Sequence, residues 1–112
     1  RRGLAVMREI GGDGYIDGGG IGASFAVPFF KAVKEGDWET ARACADKWSK
    51  LTASFVNPSF GGHYGAPSAQ LKAAMAMLGQ PGGHVRAPLL PIKDPTSLAA
   101  LKKALQDADL LV

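Results

Sequence analysis

Gly11-Gly12-Asp13-Gly14-Tyr15-Ile16-Asp17-Gly18-Gly19-Gly20-Ile21-Gly22 is the stretch on which the reading of this chain turns. Its apolar centre, entered and left through glycine, reads as a short buried strand over Gly14–Asp17. A lone strand cannot satisfy its own backbone N–H and C=O groups. No other convincing strand is present in the 112 residues. The expectation is therefore that strand partners come from polypeptide upstream of Arg1 or from another chain. Working outward, Leu4, Val6, Met7 and Ile10 read as the last turns of a helix that has no N-cap in the sequence. Gly11-Gly12 stops it. The chain also begins with Arg1 and not with methionine, so it is expected to be a piece of a longer protein.

The rest of the chain carries helical patterns between clear punctuation. Phe25, Val27, Phe29, Phe30 and Val33 give an apolar face to a helix over about Ser24–Glu35, with Pro28 in its first turns and Gly36 at its end. Asp37 is a good N-cap for a second helix, from Trp38 to about Ser54. Its stripe is Trp38, Ala41, Ala45, Trp48, Thr52 and Phe55, and Asn57-Pro58 breaks it. The segment 59–67 is an irregular loop holding His63 and Tyr64. Pro67 opens a third helix to about Leu78, with Leu71, Ala74, Met75 and Leu78 on one face and Gly79 as a left-handed cap. The segment 80–93 contains Pro81, Pro88 and Pro91 and reads as an extended connector. Asp94-Pro95 then starts a last helix to about Asp107, with Leu98, Leu101 and Leu105 as its core stripe. This divides the chain into residues 1–36, the strand with its flanking helices, and residues 37–112, a helical subdomain.

Composition bounds the function classes. The chain is 46% hydrophobic and 21% charged, which suits a globular core and not disorder. The net charge is +3, but its thirteen Lys and Arg are scattered, with Arg1-Arg2 and Lys102-Lys103 the adjacent pairs. No basic stripe interleaved with aromatics appears, so no nucleic-acid partner is expected. The uncharged run 18–30 holds glycines and a proline and is too short to span a bilayer, so no membrane partner is expected either. The single cysteine, Cys44, excludes an internal disulfide and suits a cytoplasmic protein.

Against this background the motifs resemble a known family. Gly11-Gly12-Asp13-Gly14-Tyr15-Ile16-Asp17 is similar to the entry into the eighth strand of the dihydrodipicolinate synthase / N-acetylneuraminate lyase family. Ala32-Val33-Lys34-Glu35-Gly36-Asp37-Trp38-Glu39-Thr40-Ala41-Arg42 resembles a helix–glycine–helix junction of that family. Leu71-Lys72-Ala73-Ala74-Met75 to Leu78-Gly79, followed by Pro81-Gly82-Gly83-His84-Val85-Arg86-Ala87-Pro88-Leu89-Leu90-Pro91, resembles its longest signature. The resemblance implies an α/β fold. This chain would be the C-terminal piece of a (β/α)8 barrel: one strand and about five helices, helical by residue count. Such a barrel needs roughly 250 residues, so most of it would lie elsewhere.

The family's chemistry implies Schiff-base catalysis on pyruvate or a related 2-oxo acid, by aldol cleavage or dehydration. An imine-forming lysine, a proton-shuttling tyrosine and a loop that holds the substrate carboxylate carry it. None of these maps onto this sequence, so no catalytic residue is expected here, and no cofactor. An imine lysine needs a desolvated pocket to lower its pKa, which lysines on solvated helices lack. Asp17, Gly18, Gly19 and Gly20 fall at the strand end, where barrel active sites are built, and are the candidate substrate-binding positions. Family members that act on sugar acids often have a serine at this strand end, where Asp17 and Gly18 stand here. The plainer reading is a tight turn with Asp17 capping backbone N–H groups. As a phosphate loop the glycine run lacks the needed ending.

Other residues read as structural. His63 and Tyr64 fit a surface or subunit-contact loop. His63, His84 and Cys44 have no metal-ligand spacing, so no metal is expected. Cys44 reads as a packed small hydrophobe, and Trp38 and Trp48 as core or subunit contacts. Arg86 reads as a tie between the connector and the barrel. The functional expectation is a segment of a Schiff-base-forming lyase, one that shapes the site and supports a homo-oligomer. The alternative is a non-enzymatic helical module that associates with itself.

Overall fold

The computed structural model describes residues 2–13, 20–55 and 62–112, with the backbone alone for residues 2–5. It contains five α-helices: α1 (Arg2–Ile10), α2 (Ala23–Glu35), α3 (Trp38–Phe55), α4 (Pro67–Met77) and α5 (Pro95–Asp107). A short 3₁₀ turn, Gly20–Gly22, precedes α2. Among the described residues there is no strand. The expected α/β class, with its strand-bearing barrel piece, is thus overturned, and the described chain is helical. The strand expected at Gly14–Asp17 lies outside the described residues. The physical reason for the correction is visible elsewhere. The segments that fold as helices repeat their apolar residues at helical spacing. The one extended stretch, 80–93, is interrupted by Pro81, Pro88 and Pro91, which cannot donate to a ladder.

The chain forms two compact units, Arg1–Ser49 and Lys50–Val112, and the division falls inside α3. In the first unit the 3₁₀ turn packs against α2. Ile21, Gly22, Phe25, Ala32 and Ala41 are buried. Gly22 is the N-cap of α2 and has no side chain to offer the helix. The reason for a glycine is steric: a Cβ there would run into the six-membered ring of Trp48. Arg8, at the end of α1, lies 5.0 Å from the centroid of the Trp38 ring, a cation–π contact. Pro28 lies inside α2, in its second turn. Ser24, whose carbonyl would have received the missing N–H, is exposed, so water can meet it.

In the second unit α4 and α5 pack together. Leu101 and Leu105 of the expected stripe have no exposed surface, and Leu98 is half-buried. Burying each leucine contributes roughly 1.5–3 kcal/mol. On α3 the stripe shifts at its C-terminal end: Leu51 is buried and Thr52 exposed, a rotation of about 100° per residue that favours the larger apolar side chain.

Three helices end in the same way. In α2 the N–H of Asp37 donates to Ala32 O and that of Gly36 to Val33 O. In α4 the pair is Gln80 to Met75 and Gly79 to Ala76. In α5 it is Leu110 to Leu105 and Asp109 to Gln106. This is the Schellman arrangement, which satisfies carbonyls that a helix end leaves open. Gly36 and Gly79 supply the left-handed residue, with φ of 73° and 69°. In α5 that place is taken by Asp109, at φ 57°.

Two helix starts are capped by carboxylates, as the sequence leads one to expect. Asp37 Oδ1 accepts the N–H of Thr40 at 3.1 Å, and Asp94 Oδ2 accepts that of Ser97 at 2.7 Å. Hydrogen bonds from the side chains and N–H groups of Thr40 and Ser97 hold both carboxyls below their ordinary pKa.

Two predictions follow from this packing. Gly22→Ala should destabilise the first unit by about 1–3 kcal/mol through overpacking against Trp48. Denaturant unfolding would measure it, and an unchanged midpoint would contradict the contact. The Asp94 cap stabilises above the unfolded carboxyl pKa of about 3.9 and is lost as pH falls through the lower folded value. Asp94→Asn keeps an acceptor but does not titrate. Below about pH 4 the wild type should therefore lose stability faster than Asp94→Asn, by thermal melts followed at 222 nm. Parallel pH profiles would contradict the cap.

Candidate functional site

Of the four candidate substrate-binding positions, Asp17, Gly18 and Gly19 lie outside the described residues. Gly20 is described: it is exposed and opens the 3₁₀ turn, while Ile21 and Gly22 behind it are buried. The turn leads into the N-terminus of α2, whose first turn holds no acidic residue and receives no side-chain cap. From Gly20 to Gly22 this entry offers backbone N–H groups and no polar side chain.

The densest polar geometry lies in the second unit, around the carbonyl of Phe55 at the end of α3. Phe55 O accepts the N–H of His63 at 2.9 Å. It also accepts Gln70 Nε2 at 2.7 Å. The other end of the same amide is used as well, since Gln70 Oε1 accepts the N–H of Tyr64 at 3.3 Å. Gln70 is 3% exposed, the one buried polar side chain among the described residues. Rings cover the cluster. Phe55 and Tyr64 meet edge to face with centroids 6.2 Å apart, and His63 and Tyr64 do so at 4.9 Å. Phe55 is buried, Tyr64 half-buried and His63 exposed. In chemical terms the Gln70 amide, the Phe55 carbonyl and the two loop N–H groups satisfy one another. It holds the loop 62–66 to α4 and to the end of α3.

Gln70 was not legible as a core residue in the sequence, where the α4 face reads as Leu71, Ala74, Met75 and Leu78. The buried residues of α4 are Ala69, Gln70 and Ala74. The available signal was spacing: Gln70 stands one helical turn before Ala74, at a separation that shares a face. A polar residue at such a position is easily passed over when only apolar residues are counted.

The remaining candidates fall as follows. Lys31, Lys34, Lys47, Lys50, Lys93, Lys102 and Lys103 are exposed. Lys72 is half-buried and donates from Nζ to the carbonyl of Gly82, tying α4 to the connector. Gly82 packs closely on Met75. Cys44 is half-buried and unpaired by any disulfide. The side chain of Arg86 is exposed, and its carbonyl accepts the N–H of Leu89 at 3.0 Å. No group of His, Cys, Asp and Glu able to hold a metal occurs among the described residues. No helix among them is long and apolar enough to cross a membrane.

Comparisons of the chain with protein-family models, with curated proteins and with solved structures give no match.

The Gln70 geometry generates a test with a sign. Gln70→Glu places a carboxylate against the Phe55 carbonyl and removes the donor. At neutral pH this should cost about 1–3 kcal/mol relative to wild type. Burial raises the folded pKa of such a carboxyl. The deficit should therefore shrink as pH falls toward the unfolded glutamate value of about 4.3, because the protonated acid can donate again. Denaturant unfolding at several pH values would show it; a deficit independent of pH would contradict the burial of this side chain against the Phe55 carbonyl.

Proposed function

We propose that the chain is a C-terminal helical segment of a Schiff-base-forming lyase, aldolase or dehydratase of the dihydrodipicolinate synthase / N-acetylneuraminate lyase family. The substrate would be pyruvate or a related 2-oxo acid. In this reading the imine-forming lysine and the proton-shuttling tyrosine are supplied by polypeptide other than these residues. The segment contributes helices to a cytoplasmic homo-oligomer. The reading does not lean on the strand once expected at Gly14–Asp17.

The observation that carries it is the signature from Lys72 to Pro91. Its spacing is specific, and three of its features have a local use. Leu78-Gly79 ends α4, Lys72 reaches across to the Gly82 carbonyl, and Gly82 lets the connector pass close to Met75. A segment whose lysines are solvated or engaged with a carbonyl fits a supporting role better than imine chemistry.

Borohydride trapping with labelled pyruvate separates the parts of this proposal. The chain alone should take up no stable label, and labelling at any of its lysines would contradict its non-catalytic role. Fused in place of the corresponding C-terminal segment of a lyase of this family, it should support trapping at that enzyme's own lysine. A folded fusion that traps nothing would contradict the family reading.

A second reading, a non-enzymatic module that associates with itself, is favoured by apolar exposure in the first unit. Val6 and Ile10 stand one turn apart on α1 and are 49% and 78% exposed, and Val27 on α2 is 69% exposed. Sedimentation velocity decides it: this reading expects a dimer that Ile10→Lys and Val27→Lys dissociate, and a wild-type monomer at high concentration contradicts it.

A further inference from the structure

We draw no further inference here: the strongest candidate, the proline-bounded turn that leaves Leu89 and Leu90 exposed between the cations Arg86 and Lys93, has nothing in the structure to show what covers it.

Discussion

A helix that ends inside a protein leaves carbonyls without partners, and the end of α3 meets that constraint with one side chain and one loop. The Phe55 carbonyl takes two donors, His63 N–H and Gln70 Nε2, while the far end of the Gln70 amide takes Tyr64 N–H. A buried amide is costly when half satisfied and specific when fully satisfied. Here both ends are used. The consequence for the second unit is positional. Gln70 fixes the start of α4 against the loop, α4 packs on α5, where Ala74 of the one and Leu101 and Leu105 of the other are fully buried, and Lys72 fastens the connector to α4.

Much of the helical organisation was legible because it rests on local chemistry. Asp37 and Asp94 announce helix starts by offering an acceptor to the third residue onward. Gly36 and Gly79 announce ends because the closing turn needs a left-handed residue. The Leu101 and Leu105 stripe follows from periodicity alone. What was not legible depends on distant partners. Gln70 is buried for the sake of a carbonyl fifteen positions away, and no spacing rule reports that. The same holds for Gly22, whose reason is the Trp48 ring on another helix.

The α/β expectation came from the resemblance together with one short glycine-bordered stretch, which lies outside the described residues, and the described residues are helical. The longer segments repeat at helical spacing, and the structure follows them. Of the candidate site, only Gly20 falls within the described residues, and it brings no side chain. The functional reading therefore rests on the signature from Lys72 to Pro91. The structure adds a local reason for its lysine and for the close passage at Gly82.

The arrangement around Phe55 makes a direct claim about dynamics: a loop is ordered by a helix carbonyl and a buried amide. Native-state hydrogen exchange at the His63 and Tyr64 amides tests it. Both N–H groups should exchange as slowly as those in the middle of α4, since the Phe55 carbonyl holds the first and the buried Gln70 amide the second. Exchange at the rate of an open, solvated loop, with α4 still protected, would contradict the account.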